Sequence, residues 1–69
     1  MKLWIARDEN GRLGLFYEEP YYGTIPGIGD DWKNGDYICT LDSKLLPEIT
    51  FENSPQEVEL KLVDNDTRR

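Results

Sequence analysis

Carboxylates dominate the reactive side chains of this sequence: fourteen Asp and Glu stand against eight Lys and Arg, with no histidine and one cysteine. Without imidazole no side chain has an ordinary pKa near neutrality. Ser-His-Asp and Cys-His nucleophile systems are thereby excluded, as are the usual imidazole metal sites. Cys39 alone closes no internal disulfide and supplies no multi-thiolate zinc centre, which suits a reducing compartment. Adjacent acids such as Glu18 and Glu19 resemble the pairs that glycosidases use. Acid-base work requires one carboxyl sheltered enough to keep its proton, and 69 residues offer too little interior to shelter a sugar. No enzymatic activity and no cofactor is expected.

Two motifs point toward ligands and fall short. Gly23, Gly27 and Gly29 suggest a phosphate-cradling loop, but such loops need a following helix that opens with a basic or hydroxyl residue, and Asp30 and Asp31 follow instead. Asp30, Asp31, Asn34 and Asp36 resemble the start of a calcium loop. Counting from Asp30, however, Trp32 holds the third position and Leu41 the twelfth, where oxygen ligands are required. A dedicated metal site is not expected.

The aromatic residues are more informative. Two tryptophans, four tyrosines and two phenylalanines exceed what so small a core easily hides. Tyr21, Tyr22 and Trp32, in a Gly-rich acidic stretch, are candidate anchors for a protein partner, with Glu18, Glu19, Asp30 and Asp31 as an electrostatic rim for a basic surface. Trp4 and Phe16 serve equally well as packing beneath that stretch. An alternative is an oligomer that encloses a nucleotide-like ligand near Trp4 and Phe16, with Arg7 and Arg12 neutralising phosphate. A third reading, mimicry of a nucleic-acid backbone, would use Glu52, Glu57 and Glu59.

The net charge of −6 opposes direct binding to nucleic acid or to an anionic membrane. Residues 1–7 do not read as a signal peptide, and no run approaches the roughly 20 apolar residues of a membrane span, so a cytoplasmic location is expected. A domain this small buries only about 60% of the surface its unfolded chain exposes, so self-association would add needed burial, and a homo-oligomer is expected.

The elements that must position these residues are short strands. Residues 2–7 and 12–17 flank Asp8-Glu9-Asn10-Gly11 and predict a β-hairpin with Gly11 in the left-handed position, setting Ile5 opposite Leu15, Leu3 opposite Tyr17, Trp4 opposite Phe16 and Ala6 opposite Gly14. Both faces are apolar, so the hairpin should be central or doubly covered. Residues 18–35 show no sustained period and read as a long loop, with Thr24–Ile28 a possible edge strand. Residues 36–41 predict a third, central strand entered from Asn34-Gly35. Asp42 and Ser43 suggest one capped helical turn that tucks Leu45 and Leu46 under the sheet before Pro47. Residues 48–52 and 57–63 predict a second hairpin, with Phe51 opposite Val58 and Ile49 opposite Leu60. Ser54-Pro55-Gln56-Glu57 also fits a helix start, yet the alternation of Val58, Leu60 and Leu62 with charged residues favours strand. The sum is one small all-β domain over residues 1–63, a twisted antiparallel sheet or partly open barrel, with a polar tail at 64–69.

Trp4-Ile5-Ala6-Arg7-Asp8, Gly11, Leu13, Leu15 and Phe16, then Glu19-Pro20, Leu46-Pro47-Glu48-Ile49 and Glu57-Val58-Glu59-Leu60, resemble short uncharacterised proteins of bacteriophages and prophages, over about three quarters of the chain. The resemblance implies an accessory gene product and carries over no functional residue. By analogy, such a protein acts stoichiometrically on a host protein, for instance as an inhibitor of a defence or nucleic-acid-handling enzyme.

Overall fold

In a computed structural model, which describes residues 1–61, the chain forms six strands: β1 (Lys2–Arg7), β2 (Leu13–Phe16), β3 (Tyr21–Ile25), β4 (Gly29–Lys33), β5 (Tyr37–Leu41) and β6 (Gln56–Glu59). Four make an antiparallel sheet in the order β5-β2-β1-β6, and β3 pairs with β4 alone. The all-β antiparallel class read from the sequence is the class observed.

The β1–β2 hairpin forms in the anticipated register, with Trp4 opposite Phe16, Ile5 opposite Leu15 and Ala6 opposite Gly14. Its turn is held by Asp8, whose amide donates to the Arg12 carbonyl at 2.9 Å and whose carbonyl accepts from Gly11 N at 3.0 Å. Gly11 takes a φ of +96°, the left-handed conformation that closes a three-residue hairpin loop. The ladder with β2 ends at Trp4 and Phe16, so the foreseen Leu3–Tyr17 pair does not form, and on the other edge of β1 Leu3 lies across from Val58 of β6.

Strand alternation divides the sheet into two faces. One presents Leu3, Ile5, Leu13 and Val58 and is closed by Ile49 from the connection between β5 and β6, with Ile5, Leu13 and Ile49 almost fully buried. Arg7 lies on this face as well and fastens that connection. Its five N–H donors go to carbonyls: Nε to Ile49, Nη1 to Gly11 and Ser43, and Nη2 to Leu45 and Leu46, at 2.6–3.2 Å. The opposite face carries Trp4, Ala6, Gly14 and Phe16.

Further expectations are corrected. Residues 18–35 are not a loop: they contain the β3–β4 hairpin, with Tyr22 opposite Trp32 and Gly23 opposite Asp31. Its turn is Ile25-Pro26-Gly27-Ile28, closed by Ile28 N to Ile25 O at 3.0 Å with Gly27 at φ +83°, the proline-then-glycine requirement of a type II turn. Residues 48–52 form no strand, and β6 pairs with β1 instead. The capped helical turn is a β-turn, in which the Asp42 side chain accepts from Lys44 N and the Asp42 carbonyl from Leu45 N, both at 2.9 Å. Leu45 and Leu46 stay exposed there, because Arg7 engages their carbonyls and not their side chains. Residues 56–59 are strand, as the alternation indicated, while Leu62, Val63 and the polar tail lie outside the described residues. The strand foreseen over 36–41 forms as β5 at the sheet edge, and β1 and β2 hold the centre.

Strands β2–β3 and β4–β5 act as one long ribbon with a corner. Beyond Phe16, Tyr17 N donates to Asp36 O at 3.1 Å and Glu18 N to Gly35 O at 2.9 Å, so pairing continues to the bend. The corner packs tightly, since a Cβ on Gly35 would stand 2.7 Å from Glu18 O and 2.8 Å from the Pro20 side chain. Past it the ribbon turns back over the Ala6–Gly14–Phe16 face, and Trp32 Nε1 donates to Arg7 O at 3.1 Å.

Candidate functional site

The folded-back ribbon and the sheet beneath it enclose a cleft of about 320 Å³. Ala6 and Gly14 of the central hairpin form its floor. Gly14 is small for a visible reason: a Cβ there would meet the Phe16 ring at 3.1 Å and the Tyr37 ring at 3.7 Å, so both rings lie close over its backbone. Phe16 and Tyr37 stack edge to face at 5.8 Å, and the Tyr37 hydroxyl is hydrogen-bonded to Thr40, which also lines the cleft. Trp32 contributes the ribbon side.

Its mouth is ionic. The β1–β2 turn supplies Asp8 and Arg12, and β4 supplies Asp31. Asp8 Oδ1 accepts from Arg12 N at 2.9 Å and its Oδ2 from Arg12 Nε at 3.2 Å. Asp31 Oδ1 accepts from Trp32 N at 2.7 Å, while its Oδ2 faces Arg12 Nη2 at 3.6 Å. A second, shallower recess of about 280 Å³ shares Asp8, Arg12 and Asp31 and adds Glu9, Tyr22 and Asp30. Four carboxylates and one guanidinium thus converge where the ribbon tip meets the hairpin turn.

The acidic field registers on a neighbouring phenol. Tyr22 donates its hydroxyl to Glu9 Oε1 at 2.7 Å, and this bond, seconded by desolvation and by the charges of Glu9, Asp30 and Asp31, pushes its pKa up to about 12. A phenolate there would lose the bond and face three carboxylates.

The residues singled out from sequence fall into separate groups. Tyr22 and Trp32 turn inward, packing edge to face with each other at 5.2 Å and with Phe51 at 4.9 and 6.3 Å. Tyr21 stays half exposed beneath the Lys33 ammonium, and its hydroxyl accepts from Asn34 at 2.7 Å. Asp30 and Asp31 reach the acidic end, whereas Glu18 and Glu19 lie at the exposed corner. Of the alternative ligand set, Phe16 and Arg12 line the cleft and Trp4 does not. Arg7 sits on the other face with all five donors engaged, so none remains for phosphate. Sequence reasoning gave no site role to Asp8, Glu9, Tyr37, Thr40 and Phe51. The Pro26-Gly27 pair was the available signal, because reading it as a hairpin turn sets Tyr22 against Trp32 and brings Asp31 onto a strand.

Among the described residues no group of His, Cys, Asp and Glu is arranged to hold a metal ion, and no helix is long and apolar enough to cross a membrane. No protein-family model matches the chain, and no match is found among curated proteins or solved structures.

Proposed function

We propose that this chain is a non-enzymatic protein-binding module of the phage or mobile-element accessory kind, which seats its acidic end on a basic surface of a bacterial host protein and acts there by occupancy, as an inhibitor does. One observation carries the reading: Asp8, Glu9, Asp30 and Asp31 gather around a single arginine at the joint of two hairpins. Such a field steers a cationic surface inward and gives the contact a preferred orientation. The absence of imidazole argues in the same direction, since no other side chain titrates near neutrality without strong perturbation. Tyr21 and Tyr17 remain exposed and can add contact area, while Tyr22 and Trp32 support the acidic end from within.

The test is capture of a partner from bacterial lysate on the immobilised protein, beside a bait carrying Glu9→Gln, Asp30→Asn and Asp31→Asn. A host protein held by the wild type should elute in salt, because the screening length falls from about 10 Å at 0.1 M to about 3 Å at 1 M. The charge-stripped bait should not hold it. Equal retention by both baits refutes the reading.

A further inference from the structure

We propose that the cleft between the sheet and the folded-back ribbon is a seat for one arginine side chain of the protein partner. This deepens the preceding reading, and rests on it only for where the side chain comes from. The cleft, about 320 Å³, is at the lower end of the range of small-molecule sites, roughly 300–1,000 Å³, and so suits a single side chain better than a nucleotide.

Its lining selects a flat cation. Phe16 and Tyr37 lie over Gly14, and Trp32 stands on the ribbon side. Aromatic faces attract cations, and a guanidinium, planar and weakly hydrated, is easier to bring against them than an ammonium. At the mouth the acceptors are unevenly supplied. Both oxygens of Asp8 accept from Arg12, and Asp31 Oδ1 accepts from Trp32 N. Asp31 Oδ2 meets only Arg12 Nη2 among the described residues, at 3.6 Å, too long for a hydrogen bond. A partly exposed carboxylate oxygen that no described residue hydrogen-bonds therefore stands at the entrance of a cleft lined by three aromatic rings. Arg12 is itself more than half exposed and leaves the slot open. A neutral aromatic guest would leave Asp31 as it is. An anion would meet Asp8 and Asp31 at the mouth, with Glu9 and Asp30 in the adjoining recess. An incoming arginine supplies charged donors to that oxygen and a second cation to a mouth that holds two carboxylates and one guanidinium.

Titration of the isotope-labelled full chain with doubly capped arginine (Nα-acetyl, N-methylamide) tests this, read by NMR at the Trp32 indole N–H and the Gly14 amide. Saturable shifts at both positions are expected, with weaker shifts from capped lysine and none from capped citrulline, the neutral isostere. Asp31→Asn should weaken arginine binding about fivefold or more while the remaining spectrum stays native, because asparagine keeps an oxygen for Trp32 N. Absence of saturable shifts, equal response to citrulline, or undiminished binding by Asp31→Asn each overturns the assignment. Salt-sensitive capture of a host protein alongside any of these would leave the acidic-end reading standing and remove only the arginine seat. Arginine binding with no charge-dependent capture would do the reverse.

Discussion

Replacing Arg7 with alanine should remove a large share of the folding free energy, although its side chain makes no ion pair among the described residues. The magnitude follows from where its five bonds lie. Those to Ile49 O at 2.6 Å and Gly11 O at 2.7 Å are partly buried, whereas those to Ser43, Leu45 and Leu46 are exposed. Water replaces an exposed donor at little net cost. A bond to a charged donor that water does not replace is worth about 1.5–3 kcal/mol, so two of them amount to roughly 3–6 kcal/mol. At about 0.05–0.15 kcal/mol per residue, the whole domain is worth only roughly 3–10 kcal/mol.

Urea unfolding followed by tryptophan fluorescence gives the measurement. With a slope near 1 kcal/mol per molar for so small a chain, the Arg7→Ala midpoint should fall by about 3 M, or the variant should be unfolded without denaturant. Arg7→Lys should recover about half the loss, since an ammonium carries three donors on one point and cannot span five carbonyls. A midpoint for Arg7→Ala within about 0.5 M of wild type, a loss of about 0.5 kcal/mol at that slope, would refute the idea that this guanidinium fastens the β5–β6 connection to the sheet.

Other outcomes are expected from the same geometry. Gly35→Ala should destabilise by about 1–3 kcal/mol in the same assay, because the added methyl meets backbone oxygen at 2.7 Å with no room to yield, whereas wild-type stability in that variant would mean the corner is loose. Trp32→Phe should cost about 1 kcal/mol through the lost bond to Arg7 O and should shift the Arg7–Asp8 amide region of the NMR spectrum. The Tyr22 phenol, raised from 10.0 to about 12, favours the native state fully below pH 10 and ceases to as pH rises through 12. Phenolate absorbance should accordingly lose a step near pH 12 in Tyr22→Phe, and that step should move downward in Glu9→Gln. An unmoved step in Glu9→Gln would remove Glu9 as the main cause.

How much of this was legible depends on whether the information was local. The β1–β2 hairpin could be read because Asn10-Gly11 encodes the turn, and a three-residue loop with Gly11 left-handed fixes the register, with Trp4 against Phe16. Alternation around Val58 likewise gave a strand, but alternation names a face and not a neighbour. Residues 48–52 and Lys2–Ile5 offered equally apolar partners, and only the covering of the β1 edge decides for the latter. The β3–β4 ribbon was obscured because Gly23, Asp30 and Asp31 are poor strand formers, held here by partners the sequence does not place beside them. Asp30 and Asp31 could be named as rim residues from composition. That Tyr22 and Trp32 turn inward follows from the bend at Gly35, a contact with Glu18 and Pro20 far along the chain.

The fold and the candidate site share their fasteners, and this constrains how the protein can work. Arg7 is tied by its amide to Ser54 Oγ at 2.9 Å, by its carbonyl to Trp32 and by its guanidinium to residues 43–49 and Gly11. Trp32 in turn packs on Tyr22 and Phe51 and lines the cleft. One residue therefore holds the ribbon over one face of the sheet and the β5–β6 connection over the other. A domain with a core centred on Ile5, Leu13 and Ile49 has little else with which to resist opening. The cleft cannot widen to suit different guests without loosening contacts on which folding depends. Binding there should resemble entry into a preformed slot, with little ordering entropy to lose and little tolerance for a guest of the wrong shape. Near-identical amide spectra of free and arginine-bound protein outside the cleft would be the signature, and shifts spread through β6 and residues 42–54 would contradict it.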